Sequence, residues 1–226
     1  MSSETLTPQM SSSAAMVRTL GIVATVCGVI IVGAYESTYS AVAANKKLAL
    51  ERAVFKVLPG SKSITEFVAG PNGVTEGTDV PAGSVKFYAA YDAEGRLNGV
   101  AAEAAARGYA DVVRILYGYS PDCQCIVGIG VVSMRETPGI GDKIITDKDF
   151  LANFQALDVR LNAEMSGLAN TVKTVKHGTK TQPWQIDAIS GATVTSKAVG
   201  RGINDSAQAL LPKLVPNLDK IRSKAS

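Results

Sequence analysis

The feature that most constrains this chain is an uncharged, apolar stretch at residues 19–35, TLGIVATVCGVIIVGAY, which Arg18 and Glu36 bracket. Its length is about the minimum for a helix that crosses the hydrocarbon core of a bilayer, and the preceding SSSAAMV can extend the helix. Arg18 can carry its charge to the membrane interface. We therefore predict a transmembrane helix at residues 19–36, after a cytoplasmic segment at residues 1–18.

A cleaved signal peptide is the alternative for this stretch. Ala41 and Ala43 form the A-x-A pattern of a cleavage site. The apolar stretch ends near Ala34, which leaves a long gap before that site, so we favour a retained anchor. More lysines and arginines follow the stretch than precede it, which weakly favours a cytoplasmic body. Because long domains translocate largely regardless of such charge, the orientation stays open at this point.

The chain then shows helix, turn and strand patterns in succession. Residues 37–60 have the composition of a helix that a Pro-Gly pair stops, and we interpret them as a juxtamembrane helix. The turn-rich residues 69–84 are predicted to be a loop. Residues 85–91 and 97–100 flank the turn DAEGR and predict a β-hairpin.

Further strands and two helices follow. Residues 112–116 and 125–134 are rich in Val and Ile and predict two strands. Residues 146–157 open on a threonine, a good helix cap. A last long helix is predicted from Ala192 to Pro212, with four apolar residues on one face: Val199, Ile203, Ala207 and Leu210.

This order predicts an α+β fold with an antiparallel sheet and flanking helices, because no repeated strand–helix–strand alternation appears. The predicted domain covers residues 61–212, and residues 213–226 are expected to be a solvated tail. The 226 residues include 23 Lys and Arg against 20 Asp and Glu, and the charges are scattered, so we expect no nucleic-acid partner. The single histidine, His177, argues against a histidine-based metal site and is expected in a solvated loop.

The three cysteines give no clear metal pattern. Cys27 lies in the apolar stretch, where it acts as a small hydrophobe. Cys123 and Cys125 form a C-x-C pair, across which a disulfide is strained. A metal or cluster needs further ligands that the chain lacks. We expect two free thiols at the start of a strand; a partner-supplied site and a redox-active pair stay open.

Two stretches rich in glycine and hydroxyl residues are candidate binding segments. The first, IDAISGATVTSKAVGRG at residues 186–202, places small and hydroxyl side chains before the last predicted helix. A helix start carries about half a positive charge and unpaired N–H donors, so it suits an anion. Ser190, Thr193 and Thr195 can bind a phosphate, or one of them can be esterified by it. An ordinary helix cap with nothing bound is the alternative.

The second stretch, RETPGIGDKI at residues 135–144, is a turn-forming run directly after a predicted strand. Gly139 and Gly141 on either side of Ile140 permit close approach of the backbone to a flat ligand. A plain connection between a strand and a helix is the alternative. The glycine spacing and the missing Lys-Ser/Thr pair exclude a P-loop.

The sequence resembles the FMN-binding domain family at three places. DAISGAT, residues 187–193, resembles its flavinylation motif, Asp-x-x-Ser/Thr-Gly-Ala-Thr. ETPGIGDKI, residues 136–144, resembles its Glu-Thr-Pro-Gly-hydrophobic-Gly stretch. LYGYSPDCQCIVGIGVV, residues 116–132, resembles its Tyr-Gly-Tyr strand region. Including the anchor, the resemblance covers residues 20–211 and is greatest to the G subunit of Rnf electron-transport complexes.

The resemblance implies a covalent FMN whose phosphate is esterified to Thr193. Packing against the flavin ring is expected from Thr137, Ile140 and Gly141, and polar contacts from Glu136 and Lys143. Other cofactor contacts are expected from residues of the motif and the helix start: Asp187, Ser190, Gly191, Ala192 and Thr195. Asp187 is expected to position the Thr193 hydroxyl, or a metal during attachment, or else to bind loop amides. Neither a catalytic residue nor a resident metal is implied.

The family implies an electron-carrier subunit of a membrane-bound Rnf-type complex that couples ferredoxin:NAD electron transfer to ion translocation. Its domain would lie on the periplasmic side of the inner membrane, and the chain alone would catalyse nothing. The implied partners are the other complex subunits, a flavin transferase for maturation and membrane lipid. Two alternatives stay open: a C-type subunit of a Na+-translocating NADH:quinone reductase, and a flavin-free membrane-anchored sensor or assembly module of the same fold.

Overall fold

The computed structural model describes residues 13–222. Its first element, α1, is one helix at Ser13–Val57, which covers both the predicted transmembrane stretch and the predicted juxtamembrane helix. Predictions that concern residues 1–12 and 223–226 lie outside the described residues. Internal contacts divide the chain into two units on either side of the bond between Ala49 and Leu50.

In the first unit, α1 leaves its apolar stretch fully exposed. Within the described part of the chain it is the one helix that, by length and composition, could cross a membrane. An uncovered apolar helix of this length has no favourable place in water, since burial of apolar surface is what offsets the cost of ordering a chain. The predicted apolar amino-terminal helix is therefore confirmed.

The second unit is built on a seven-stranded sheet. Its strands are β1 (Ser63–Gly70), β2 (Gly73–Glu76), β3 (Val85–Tyr91), β4 (Leu97–Arg107), β5 (Val112–Ser120), β6 (Cys125–Ser133) and β7 (Leu157–Asp158). They lie in the order β2-β1-β3-β4-β5-β6-β7, and every neighbouring pair is antiparallel. The predicted hairpin is β3–β4, and the predicted antiparallel α+β fold is confirmed.

Both faces of this sheet are covered, because alternate residues of a strand point to opposite sides. On one face, Phe87 and Ala89 of β3 belong to a large core that includes α3 (Thr193–Leu214). On the other face, Tyr88 and Ala90 pack with the end of α1 around Val57. The apolar face predicted for the last helix is confirmed, since all four of its residues are buried in the large core: Val199, Ile203, Ala207 and Leu210.

Smaller elements complete the second unit. A 3₁₀ turn, Gly141–Ile145, precedes α2 (Lys148–Ala152), and β8 (Lys173–Val175) forms a parallel pair with β9 (Gln185–Asp187). Helix α2 is shorter than the predicted 146–157, and Asp147 caps it in place of Thr146. The helix ends early because the chain turns into the edge strand β7, where Leu157 is buried opposite Ile126.

Three local predictions are wrong. The predicted loop at residues 69–84 contains β2, whose pairing with β1 stabilises a strand that turn-rich composition conceals. Pro212 lies inside α3, which continues to Leu214 because buried leucines hold its last turn against the core. The tail was predicted to be solvated, but it is packed on the core as far as residue 221, since Leu214 and Ile221 are both fully buried.

Cys123 and Cys125 form a disulfide in the turn between β5 and β6, so the expectation of two free thiols is wrong. Gln124, between them, has a φ of +51°, the left-handed conformation. This backbone leaves the two Cα atoms 5.1 Å apart, within the usual range for a disulfide. Cys125 begins β6, as predicted.

The contact between β5 and the end of α1 gives the first prediction. A Cβ on Gly118 would come within 2.6 Å of the Val57 carbonyl oxygen and 2.9 Å of Leu58 Cδ2. Because these neighbours are packed against the sheet, we expect Gly118→Ala to lower the free energy of unfolding by about 1–3 kcal/mol. The measurement is chemical unfolding of the detergent-solubilised full chain, followed by circular dichroism.

Gly130→Ala on β6 is the matched control. A Cβ there would lie 3.4 Å from Val57 Cγ1, an ordinary van der Waals contact. We expect it to change stability by less than about 1 kcal/mol. Equal losses in the two variants would contradict the close approach of α1 at Gly118.

Candidate functional site

A tight turn positions the start of α3. After β9 the chain passes through residues 189–192, where the Ala192 N–H donates to the Ile189 carbonyl at 3.1 Å. Gly191 occupies the third position of this turn with a φ of +84°. A side chain is strained in that conformation, so the glycine of the sequence motif serves the backbone.

The first turn of α3 is not capped by any side chain. Ser196 is buried and faces inward: its Oγ donates to the Ala192 carbonyl at 3.0 Å and accepts from the Ile189 N–H at 3.1 Å. Within residues 13–222, the N–H groups of residues 193–195 have no acceptor. The ordinary capped start is therefore not found, and α3 offers open donors at the positive end of its dipole.

Glu136 connects three segments around this helix start. Its Oε2 accepts from the Thr195 hydroxyl at 2.8 Å. Its Oε1 accepts from the backbone N–H groups of residues 110–111, at 3.1 and 3.4 Å. A Cβ on Gly141 would lie 2.7 Å from Glu136 Cβ, and a Cβ on Gly108 would collide with Oε1. Both glycines therefore leave the room that this carboxylate occupies.

The hydrogen bonds of Glu136 determine its charge state. Burial acts to raise the pKa of Glu136, but hydrogen bonds from the Thr195 hydroxyl and from backbone N–H groups outweigh it and hold the pKa below its usual value. The carboxylate is therefore ionised at neutral pH. Because both oxygens have partners inside the protein, Glu136 braces the site rather than presenting a free charge to a ligand.

A cavity of about 410 Å³ opens at the start of α3. It combines the two stretches that the sequence singles out, and its lining includes these predicted site residues: Glu136, Thr137, Ile140, Gly141, Gly191, Ala192, Thr193 and Thr195. The fold therefore brings together two segments that are far apart in the chain, one after β6 and one at the start of α3.

Two lining residues of this cavity, Tyr109 and Val194, were missed by the sequence analysis. Both are exposed, to 73% and 47%, and Ile140 is exposed to 49%. We call these three residues the apolar rim. Large exposed apolar side chains around a cavity indicate a binding surface. The sequence held two indications of these residues. Tyr109 is an aromatic residue in the short turn ARGYAD, and Val194 is an apolar residue between Thr193 and Thr195.

Three predicted site residues, Asp187, Ser190 and Lys143, line a different cavity of about 470 Å³. Asp187 accepts the Gly178 N–H, at 2.7 and 3.0 Å, and lies 3.6 Å from His177 Nδ1. It thus binds a loop amide, the alternative considered for it. His177 is an exposed loop residue, as expected. Within the described residues, no group of three or more His, Cys, Asp or Glu side chains is arranged to hold a metal ion.

Residues 108–208 match the family model of the FMN-binding domain. This range begins at the turn that Glu136 binds and continues through the first four turns of α3, so it contains the whole lining of the cavity. Over this range the chain is similar to FMN-binding domains. The family resemblance seen in the sequence is confirmed.

The chain is also similar to named relatives and, in fold, to one solved structure. The chain is 35% identical over 115 residues to the G subunit of the ion-translocating oxidoreductase complex of Methanosarcina acetivorans, covering 51% of this chain and 53% of that protein. It is 28% identical over 194 residues to the G subunit of the proton-translocating ferredoxin:NAD(+) oxidoreductase complex of Clostridium ljungdahlii, covering 86% and 89%.

The chain spans about half the length of the curated relatives that it matches at 35% identity or more. Among solved structures, NqrC of Shewanella oneidensis shares the fold with a TM-score of 0.58 and 20% identity. That similarity covers 79% of this chain and 98% of NqrC.

The residues around the cavity fit FMN. The open N–H groups at the start of α3 suit its phosphate. The apolar rim offers exposed apolar surface for a flat ring system, and cofactor sites combine such walls with a few polar groups. Gly191 also lines the cavity, and nothing lies within 4 Å of the place where its Cβ would be, so this side of the cavity is open to a ligand.

The Glu136–Thr195 hydrogen bond gives the second prediction. Thr195 is 2% exposed, and Thr195→Val leaves Oε2 of Glu136 without its hydroxyl donor. We expect this variant to lower the free energy of unfolding by about 1–3 kcal/mol at neutral pH, measured by urea unfolding. Thr195→Ser retains the hydroxyl and is the matched control.

The difference in stability between the two Thr195 variants should depend on pH. Because the pKa of Glu136 in the folded protein lies below its ordinary value of 4.5, its stabilisation is present above pH 4.5 and is lost as the pH falls through the lowered folded pKa. We therefore expect the difference in unfolding free energy between Thr195→Val and Thr195→Ser, measured with urea, to become smaller in acid. If the difference in unfolding free energy stayed the same down to acid pH, the Glu136 carboxylate would not be its source.

Proposed function

We propose that this chain is the covalently flavinylated electron-carrier subunit of a membrane-bound Rnf-type complex that couples ferredoxin:NAD electron transfer to ion translocation. The observation that carries this proposal is the position of Thr193: it is the first residue of an uncapped helix and lines the cavity of an FMN-binding domain. Relatives named as G subunits of ion-translocating oxidoreductase complexes support the wider role.

Covalent attachment at Thr193 fits the local electrostatics. A phosphoester on its hydroxyl keeps one negative charge, and the open N–H groups of residues 193–195 with the helix dipole stabilise an anion there. Thr193 is only partly buried and lines the cavity. A covalent tether holds the flavin at one place through repeated turnovers.

The other residues of the cavity would hold and orient the cofactor. The apolar rim packs against the ring system, with Thr137 beside it, while Gly191 and Ala192 leave space for the ribityl chain. Glu136 acts through Thr195, which it holds in place. Bound FMN supplies reversible electron transfer, and the protein sets its surroundings. No side chain of this cavity is proposed to act as a catalyst.

The proposed location is the inner membrane, with α1 as a retained anchor surrounded by lipid and the second unit on the periplasmic side. The Cys123–Cys125 disulfide supports this orientation, because disulfides persist in oxidising compartments and are rare in the cytosol. This observation outweighs the weak charge count that favoured a cytoplasmic body, since long domains translocate regardless of such charge.

The proposed partners are the other membrane and peripheral subunits of the complex and a flavin transferase. The transferase breaks the pyrophosphate bond of FAD and moves the FMN moiety to the Thr193 hydroxyl, with AMP as the leaving group. Asp187 and Ser190 contribute to this stage rather than to the flavin cavity, since they line the neighbouring cavity. A transferase that handles the DAISGAT segment must contact residues on both sides of Thr193.

A C-type subunit of a Na+-translocating NADH:quinone reductase is the second candidate. The shared fold with NqrC favours it, but identity of 20% supports the fold alone. The sequence relatives cited above are named G subunits, including the Clostridium protein at 28% identity over 89% of its length, and we therefore rank the Rnf-type role first.

Mass spectrometry of the protein from its native membranes tests the attachment. We expect the peptide that contains Thr193 to carry FMN, and Thr193→Ala to abolish the adduct because the acceptor oxygen is lost. Thr193→Ser keeps a hydroxyl at the same position and should retain part of the flavin.

Ser133→Ala is the hydroxyl control, because this exposed residue at the end of β6 lines neither cavity. It should leave an adduct on Thr193. An unmodified Thr193 peptide from native membranes would refute covalent attachment and would favour the flavin-free sensor or assembly module.

Thiol labelling in intact cells tests the orientation. With the second unit on the periplasmic side, a membrane-impermeant maleimide should modify Cys123 and Cys125 only after a reductant has opened their disulfide. The matched control is Cys125→Ser, which leaves the exposed Cys123 free and should be labelled without a reductant. Labelling of reduced wild type only after cell lysis would place the domain in the cytoplasm.

A further inference from the structure

Three cationic side chains line a groove beside the flavin cavity. The groove has a volume of about 380 Å³, and we call it the basic groove; it is formed by Val172, Lys173, Thr174, Val194, Lys197 and Arg201. Val194 also lines the flavin cavity, so the two depressions share a wall. A molecule seated in the basic groove would therefore contact the surroundings of the flavin.

The positive charge of the basic groove is not neutralised locally. Among residues 13–222, no carboxylate lies within 4.0 Å of the charged groups of Lys173, Lys197 or Arg201. The Arg201 guanidinium donates to the Arg107 carbonyl at 3.0 Å, which fixes its position without cancelling its charge. Asp205, one turn later on α3, accepts instead from the side-chain amide of the residue before it.

The arrangement follows from the helix geometry. Lys197 and Arg201 are four residues apart on α3 and therefore lie on one face. Side chains on a helix lean toward its amino terminus, so both cations lean toward the end that carries Thr193. Lys173 reaches the same groove from β8.

The form of this surface distinguishes between classes of ligand. The three cationic residues are exposed and come from two elements, rather than converging on a buried point as in a site for a small anion. Exposed charges act at long range and steer association. The adjacent apolar rim supplies short-range contact, and an apolar centre with a charged flank is typical of protein interfaces.

We propose that the basic groove and the apolar rim together dock an acidic surface of the protein that exchanges electrons with the flavin. This inference rests on the proposed function, because it requires a flavin at Thr193. A redox partner must bring its own cofactor near the flavin, and the shared wall at Val194 places this surface next to it. The interface would be small, as in transient electron-transfer encounters.

The test reverses two charges of the groove in the native complex. Lys173→Glu with Lys197→Glu is compared with Lys62→Glu and Lys148→Glu, two exposed lysines that line neither the groove nor the flavin cavity. Both double variants change the net charge equally. The rate at which NADH reduces the flavin on this chain is followed by absorbance, at low and at high ionic strength.

We expect the groove variant to slow flavin reduction about tenfold or more at low ionic strength and to weaken or reverse its salt dependence. The control variant should stay within about twofold of wild type. Dithionite, a small reductant that needs no docking, should reduce the flavin equally fast in all three proteins.

Equal NADH-driven rates in the groove and control variants would overturn the docking proposal. Loss of flavin from the Thr193 peptide in the groove variant alone would overturn it in favour of a transferase surface. Absence of flavin from wild type would instead refute the proposed function on which the inference rests, so the two failures are distinguishable.

Discussion

The carboxylate of Glu136 is the contact on which the candidate site depends. The chain leaves the sheet after β6, and Glu136 immediately binds the β4–β5 turn with one oxygen and the start of α3 with the other. These are the two sides of the candidate FMN cavity. Separating them would leave one oxygen of an ionised, partly buried carboxylate without its donors, at a cost of about 1–3 kcal/mol. Gly108 and Gly141 have no side chain because the carboxylate occupies that space.

The sheet makes this arrangement rigid from beneath. Helix α3 crosses β4 so closely that a Cβ on Gly202 would lie 3.3 Å from the backbone of Ala105. Ile203, Ala207 and Leu210 are buried in the same contact. The first turn of α3 is therefore fixed by the body of the helix as well as by Glu136. A binding group on such an element is held more precisely than one on a free loop, which suits a residue that tethers a cofactor.

The sequence predicts the parts of this structure that local pattern controls. The β3–β4 hairpin and the apolar face of α3 have clear periodicity, and both are found. Strand β2 was missed because its stability comes from pairing with β1 rather than from its own residues. The disulfide was missed because it depends on the left-handed backbone of Gln124. Within the site, motif residues were expected together, but the turn at Gly191 sends Ser190 and Asp187 to a second cavity. The residue types of the motif do not show that the chain reverses direction at Gly191, so they do not show which side chains share a cavity.

Charge is divided unevenly around the candidate flavin cavity, and this division bears on how the proposed tethered carrier would work. The one carboxylate in the cavity wall has its donors inside the protein, so the open N–H groups of α3 are left to face an anion. The cations lie outside, in the basic groove, where they can attract a partner without binding the cofactor. The proposed tether and the proposed docking surface therefore have opposite requirements, since the first must be permanent and the second reversible. The proposed phosphoester would keep the flavin on this chain permanently, whereas exposed charges give fast and reversible association. Weak docking lets a carrier release its partner quickly after each electron transfer. This speed is useful only if the carrier keeps its own cofactor when the partner leaves, and a covalent tether meets that requirement.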